Sequence, residues 1–191
     1  MRDVPWYDPQ TTAERHAQGR EAWWYLHAGN VNPTPNMFVG YDPGQLRTLL
    51  GPMAHQAGVD GFLYYRVDRW YGHPILDDGP LSTWDPRTWN TYAGDGSLLY
   101  PGRDGPIPSI RLENVRDGLE DYNLLESLRE AIDGAPTGTD PALPAKARRL
   151  AGAKDVVTDT YEYVWVPAAY RDWRTDAIKV TTRLRPEGAQ R

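Results

Sequence analysis

Aromatic and polar side chains gather at the ends of two apolar segments of this sequence. Tyr25 and His27 close the first segment, and Tyr65, Asp68 and Trp70 close the second. A ring with a polar tip can pack on a sugar and bond its hydroxyls, and an aspartate adds a charge-assisted hydrogen bond. These residue types therefore indicate a sugar-binding cleft, although the same rings would also suit a hydrogen-bonded core.

Trp23 joins this group, because alternation along a strand puts it on the same side as Tyr25. Either ring can line a sugar pocket or pack in the core, and Asp68 can bind a hydroxyl or cap a loop. The candidate substrate-binding residues are therefore Trp23, Tyr25, His27, Tyr65, Asp68 and Trp70.

Other residue types argue against several kinds of site. The four histidines, His16, His27, His55 and His73, fall in different elements and show no metal-ligand spacing. Without cysteine, the chain has no thiolate ligand, cysteine nucleophile or disulfide. No Ser-His-Asp arrangement, phosphate-binding loop or dinucleotide fingerprint is present. We therefore expect neither a metal ion nor a cofactor.

The two segments that carry the candidate residues are predicted to be buried strands. Residues 21–29 (EAWWYLHAG) and 60–70 (DGFLYYRVDRW) are short apolar and aromatic runs that contain a bounding glycine. Two such strands with a helix between them form a right-handed βαβ unit, in which ligands bind beyond the carboxyl ends of the strands. This topology makes one edge of the sheet the expected ligand site.

The intervening helix has clear start and stop signals. Asp42 can cap its first turn, Pro43 suits the first position, and Gln45 completes a capping box. Gly58 ends the helix, and Pro52 should bend it by removing one backbone hydrogen bond. One face is apolar at helical spacing through Leu46, Leu49, Leu50, Met53, Ala54 and Ala57.

A long loop and a second amphipathic helix follow. Residues 71–108 show no helical period and are rich in aromatic rings, and a turn at residues 93–96 predicts a hairpin within this loop. Ser109 opens a helix that runs to Ile132, in which Gly118 indicates close packing. The predicted apolar face of this helix consists of Leu112, Val115, Leu119, Tyr122, Leu125, Leu128 and Ile132.

The remaining segments predict the domain organisation. Residues 1–10 are expected to form a loop and residues 11–19 a weak helix. Residues 134–144 have the composition of a linker, and residues 145–191 are predicted to be a helical extension. The last predicted helix has an apolar face of Tyr170, Trp173, Ala177, Val180 and Leu184. The α/β part of the chain is thus assigned to residues 1–133.

Composition limits the classes of partner. The net charge is −5 and the basic residues form no stripe, so nucleic acid is not an expected partner. No apolar run approaches the roughly 20 residues of a membrane span, and the N-terminus does not resemble a signal peptide. Localisation stays open, since a longer parent protein could be secreted. The chain has eight tryptophans and twelve tyrosines but only two phenylalanines. Aromatic rings with a polar tip therefore predominate, which favours a flat surface that can also form hydrogen bonds.

Several blocks of the sequence occur together in one known family. AWWYLHAG, GVDGFLYYRVDRW, GDGSLLYPG and PIPSIRLENVRDGLEDYNLL stand in the order seen in the catalytic domain of glycoside hydrolase family 123. The chain resembles this domain from about Trp6 to Leu128. The resemblance implies an α/β fold, the C-terminal portion of a (β/α)₈ TIM-type barrel, of which this chain would hold the last three or so strand-helix units.

The resemblance also implies an activity. Members remove terminal N-acetylgalactosamine with retention, the 2-acetamido oxygen attacks, and an adjacent Asp-Glu pair orients that group and supplies the general acid. This chain has no Asp-Glu dipeptide, and Glu120-Asp121 has the reverse order inside a helix, where a salt-bridge role is expected. The chain is therefore predicted to bind glycan but to lack the catalytic residues.

Two alternatives remain open at this point. The chain is either part of such an enzyme, partnered by a missing N-terminal part of the barrel, or a non-catalytic carbohydrate-binding or structural remnant. In either case the open sheet edges predict self-association or aggregation of the isolated chain.

Overall fold

The computed structural model describes residues 1–70, 93–102 and 104–185. Its centre is a parallel sheet of three short strands in the order β1 (Arg2–Asp3), β2 (Trp23–Leu26) and β3 (Gly61–Tyr64). Helices connect the strands. The described residues thus form a mixed helix-and-strand fold with a small parallel sheet. The expectation that they are the C-terminal portion of a TIM-type barrel stays a proposal.

The predicted pairing of the two main strands is confirmed. β2 and β3 are parallel neighbours, with Trp23 opposite Gly61 and Leu26 opposite Tyr64. The prediction that residues 1–10 form only a loop was wrong, because β1 lies in this segment and pairs in parallel with β2. Two residues are too few to show an alternating pattern, so no sequence pattern indicated β1.

Alternation along β2 separates two sides of the sheet. Trp24 and Leu26 are almost completely buried, whereas Trp23 is 39% exposed and Tyr25 is partly exposed. Through the register, Asp3 and Leu63 lie opposite Tyr25 and project to its side of the sheet. The buried side packs on the crossover helix, and the other side carries most of the candidate site residues.

The crossover helix consists of three consecutive segments. These are α2 (Pro43–Thr48), a π-helical segment (Leu49–Met53) and α3 (Ala54–Ala57), after which Gly58 takes a left-handed conformation at φ 64°. Pro52 lies inside the π-helical segment. Proline cannot donate the hydrogen bond of a regular α-helix and its ring crowds the preceding turn, so a local widening accommodates it.

At the N-terminus of α2, one of the two predicted capping interactions is present and the other is absent. The Asp42 carboxylate accepts the Gly44 N–H at 2.8 Å, as predicted. The predicted capping box does not form, because the Gln45 side chain is buried and donates to Asn32 Oδ1 instead. Packing against the preceding loop thus competes with the local capping interaction.

A hairpin precedes the longest helix. β4 (Leu99–Tyr100) is the short strand predicted after the turn at residues 93–96, but it pairs in antiparallel with β5 (Ile107–Pro108), so this hairpin turns between Tyr100 and Ile107. The rest of the predicted long loop, residues 71–92, lies outside the described residues. An N-terminal helix, α1 (Pro9–Ala17), confirms the weak helix predicted before β2.

The longest helix, α4 (Ile110–Asp133), begins at the predicted cap, where Ser109 Oγ accepts the Leu112 N–H. Its buried face differs from the predicted one, since Leu119 is 51% exposed. The fully buried positions are Arg111, Gly118, Asp121, Leu125, Leu128 and Ala131. A Cβ atom at Gly118 would lie 2.8 Å from Leu50 Cβ, so α4 and the π-helical segment are in close contact at this glycine. The buried side of α4 also includes the polar residues Arg111 and Asp121.

Two more helices, α5 (Ala142–Ala151) and α6 (Pro167–Leu184), complete the described fold. α5 begins inside the segment predicted as a linker. All five residues of the predicted apolar face of α6 are buried, and they join the same apolar cluster as Trp24 and Leu26. The division of the chain at residues 134–144 stays a prediction. Within the described segments, no helix is both long and apolar enough to cross a membrane.

Candidate functional site

A hydrogen-bonded group lies at the carboxyl ends of β1 and β2. Asp3 ends β1, and its Oδ2 lies 2.8 Å from His27 Nε2 and accepts from Asn30 Nδ2 at 3.0 Å. His27 Nδ1 accepts the Gly29 N–H at 2.9 Å. An accepting Nδ1 leaves the proton of a neutral imidazole on Nε2, which therefore donates to Asp3. Both ring nitrogens of His27 are thus engaged.

Two buried asparagines hold the loop that follows β2. Asn30 Oδ1 accepts the His27 N–H at 2.8 Å. Asn36 Nδ2 donates to the Asn30 carbonyl at 2.7 Å and to the His27 carbonyl at 3.2 Å. These bonds replace backbone pairing in an irregular segment, so His27 is held in a fixed position rather than on a loose loop.

Tyr25 and His27 form a ring pair on the open side of the sheet. Their ring centroids are 5.8 Å apart with an interplanar angle of 21°, which is a stacked arrangement. Both rings are partly exposed. Flat rings with polar edges, fixed from behind by Asp3, offer both stacking and hydrogen bonding to a polyhydroxylated ligand.

A buried carboxyl group lies at the end of β3. Asp95 is only 5% exposed, and its Oδ1 accepts the Tyr64 hydroxyl at 2.8 Å. The Gly96 N–H in turn donates to the Tyr64 hydroxyl oxygen at 2.7 Å. These bonds tie the 93–96 turn to the sheet.

Burial dominates the electrostatics of this pair. It raises the pKa of Asp95, against the opposing effects of the hydrogen bonds from Tyr64 and Gly96 and the charge of Arg69. Burial, and next the charge of Asp95, also raise the pKa of Tyr64.

The candidates near β3 lie towards the hairpin. Asp68 forms an isolated β-bridge with Ser97 and an ion pair with Arg66 at 2.8 Å. Trp70 Nε1 donates to the Leu99 carbonyl at 2.9 Å, and Tyr65 is 47% exposed just beyond β3. Asp68 and Trp70 thus connect the strand to the hairpin, and their contact with a ligand stays a prediction.

Trp23 lies at the other end of β2. Its indole covers Gly61, where a Cβ atom would come within 2.5 Å of the ring, and Nε1 donates to Glu21 at 2.7 Å. It shares the open side of the sheet with Tyr25 but stands at the amino end of the strand. A sugar-binding role for Trp23 also stays a prediction.

Sequence reasoning missed Asp3, Asn30, Asn36 and Asp95. Each is a single polar residue in a turn-rich segment, and none belongs to a spacing pattern. The GDG turn was noticed as a hairpin signal, yet the burial of Asp95 depends on Tyr64, which is 31 residues away in the sequence. Only the tertiary fold reveals such partners.

The assembled group suits binding of a neutral, hydroxyl-rich ligand. Carboxylate and imidazole groups can exchange hydrogen bonds with hydroxyls, and the ring pair can pack on a sugar face. Over the three described ranges, no three or more His, Asp or Glu side chains lie where they could hold a metal ion together.

Comparison with known protein families identifies a similar family. The family model described as glycoside hydrolase 123, catalytic domain, matches residues 3–128, about two thirds of the chain. The matched range contains the whole candidate site. A search of curated proteins found no match.

Proposed function

The chain belongs to the glycoside hydrolase 123 family, and from this we propose that it is the C-terminal part of a catalytic domain that removes terminal N-acetylgalactosamine from glycans. The observation that carries the proposal is the Tyr25–His27 ring pair held on Asp3 at the carboxyl ends of parallel strands. In parallel α/β folds this edge is where substrates bind. Family membership makes a glycan the expected ligand.

The ring pair and its supporting groups have separable roles in this proposal. The sugar packs on the Tyr25 ring, while the His27–Asp3 hydrogen bond keeps the imidazole in place beside it. The sugar hydroxyls exchange hydrogen bonds with the polar groups at this edge. Asp95 fixes Tyr64 and the 93–96 turn from within the fold and does not contact the sugar, since it is buried.

The catalytic acids are proposed to come from another segment of polypeptide. Retaining cleavage assisted by the 2-acetamido group uses an Asp-Glu pair in this family, and the sequence contains no such dipeptide. Asp121 is no substitute. It is fully buried in α4 and accepts hydrogen bonds from Arg47, Tyr170 and Arg174, as expected for a structural ion-pair role. We therefore expect binding without turnover.

Binding and hydrolysis by the full 191-residue chain test this proposal. We expect methyl β-N-acetylgalactosaminide to bind saturably in a calorimetric titration, and an aryl N-acetylgalactosaminide not to be cleaved above the rate in buffer. His27→Ala should weaken binding about tenfold, because the ring contact and its bond to Asp3 are lost. His16→Ala is a matched control, since His16 pairs with Asp60 at the same 2.8 Å and has similar exposure.

The competing candidate is a non-catalytic remnant, which the missing Asp-Glu pair also favours. The gene upstream of Met1 separates the two. An open frame encoding further strands and an Asp-Glu pair supports the proposal, whereas a stop codon directly before Met1 overturns it. Cleavage by the isolated chain would contradict both candidates and require a carboxylate of this chain to act.

A further inference from the structure

A pocket lined by both apolar and charged residues lies between the N-terminal part of α2 and the first turns of α6. Its volume is about 570 Å³. The matched family range ends at residue 128, so the residues that α6 contributes lie outside it. The side chains that matter for its chemistry are Asp42, Arg47, Trp165, Tyr170, Arg171 and Arg174.

A fully buried carboxylate holds the pocket floor in place. Asp121 accepts from Arg47 Nε at 2.6 Å and Nη2 at 3.1 Å, from the Tyr170 hydroxyl at 2.8 Å, and from Arg174 Nε at 2.5 Å. The Arg47 guanidinium also lies 5.3 Å from the centre of the Tyr170 ring. Cationic groups fixed in this way lose little conformational entropy when an anion binds.

Positive charge remains available above this floor. Within the described residues, the Arg174 side chain uses only Nε for a protein hydrogen bond, although a guanidinium carries five N–H donors. Arg171 lines the pocket and has no acidic partner in the described part of the chain. Arg47 is paired with Asp117 at 3.4 Å as well as with Asp121, and Arg174 is paired with Asp121. The positive charge that is available to a ligand is therefore chiefly that of Arg171.

The pocket also has an exposed aromatic wall. Trp165 is 41% exposed, and its ring packs on Tyr163 with centroids 5.5 Å apart. Tyr163 is anchored in turn, since its hydroxyl donates to the Pro33 carbonyl at 2.8 Å. Tyr163 thus holds the Trp165 ring in place at the edge of the pocket that Trp165 lines.

We propose that this pocket binds an acidic sugar. The C–H face of a pyranose packs on Trp165, while Arg171 and the free N–H groups of Arg174 donate to the carboxylate or sulfate of the sugar. A cation alone would take any anion, and a tryptophan alone would take any flat apolar group. Their combination on a pre-positioned floor selects a ring that carries a negative charge. This proposal does not depend on which sugar the first site binds.

Titration of the full chain with methyl β-glucuronide tests the proposal. Methyl β-glucoside serves as its neutral match and inorganic sulfate as an anion without a sugar ring. The readout is the indole N–H resonance of Trp165, identified as the signal that Trp165→Phe removes. We expect the glucuronide to shift this resonance saturably, and the neutral glucoside to bind about tenfold more weakly.

The arginine contribution is tested separately. Arg171→Gln should weaken glucuronide binding about tenfold, whereas Arg183→Gln, an exposed arginine farther along the same helix, should leave it unchanged. Added salt should weaken binding by the wild-type chain. Equal binding of glucoside and glucuronide, equal binding of sulfate and glucuronide, or no shift of the Trp165 signal would each overturn the proposal.

Discussion

Asp95 shows how a single buried group can set the pH response of this fold. Burial raises its pKa above the ordinary value of 3.8. The folded chain therefore holds this proton more tightly than the unfolded chain does. The stability that the group contributes is fully present below the ordinary pKa and is lost as the pH rises through the raised pKa.

We predict that Asp95→Asn becomes progressively more stable than the wild type as the pH rises from about 3 to about 7. The asparagine keeps an oxygen that accepts the Tyr64 hydroxyl, and it has no charge to bury. The measurement is the free energy of unfolding in urea across this pH range.

Asp176→Asn is the control of opposite sign. The hydrogen bond from Lys146 lowers the pKa of Asp176, so its contribution is present above the ordinary pKa and is lost as the pH falls. This variant should lose stability relative to the wild type as the pH rises. If the Asp95→Asn difference were independent of pH, the buried carboxyl would not titrate differently in the folded and unfolded chains.

At the same scale, sequence patterns identified ring residues better than their polar partners. Tyr25 and His27 were found because they end an apolar run, and the structure stacks them. Asp3 gave no periodic signal because its partners, His27 and Asn30, are distant in the sequence, and Asn30 and Asn36 gave none because they lie in an irregular loop. A single polar residue can be recognised as a candidate site residue only when the folded structure places a second polar residue within hydrogen-bonding distance of it.

Among the elements, α4 shows why helix faces are harder to predict than helix ends. Its cap at Ser109 depends on neighbouring residues and was predictable. Its buried face depends on the segments that pack on it. It includes Arg111, which donates to the Ser97 carbonyl, and Asp121, which accepts from Arg47 and Arg174. Hydrophobic periodicity in the sequence cannot identify buried polar residues whose hydrogen-bond partners lie in other elements.

The crossing of α4 over the π-helical segment gives the prediction at this scale. Gly118→Ala should destabilise the fold by about 1 to 3 kcal/mol, despite the better helix propensity of alanine. The added Cβ would lie 2.8 Å from Leu50 Cβ and 3.1 Å from the Arg47 carbonyl oxygen. Urea unfolding measures the change.

Gly152→Ala provides the matched control. Gly152 has φ −67°, and an added Cβ would meet its nearest neighbours at an ordinary 3.5 Å. This substitution should be neutral or stabilise the chain by up to about 1 kcal/mol. A stabilising Gly118→Ala would show that the helices can separate at the crossing without cost.

At the scale of the whole molecule, the three-stranded parallel sheet is only partly covered by other elements of the described residues. In the described ranges, β1 and β3 each pair on one edge only. On the open side, Trp23 is 39% exposed and Leu63 is 37% exposed. Parallel sheets are normally covered on both faces, and unpaired strand edges recruit other strands. The predicted adjacency of β2 and β3 is confirmed, whereas closure of a barrel around them stays a proposal.

We therefore predict that the isolated chain associates through this open side and its edges. Leu63→Lys should shift the sedimentation profile towards the monomer, because a buried lysine charge opposes contact between apolar faces. Ile178→Lys is the control, since Ile178 is similarly exposed, at 40%, but lies on α6 away from the sheet. Hydrogen exchange through β2 and β3 should be slow in the associated form and faster in Leu63→Lys. A wild-type chain that sediments as a monomer, with slow exchange in both strands, would show instead that the chain covers its own sheet, and the proposal that further barrel strands pack there would lose its physical basis.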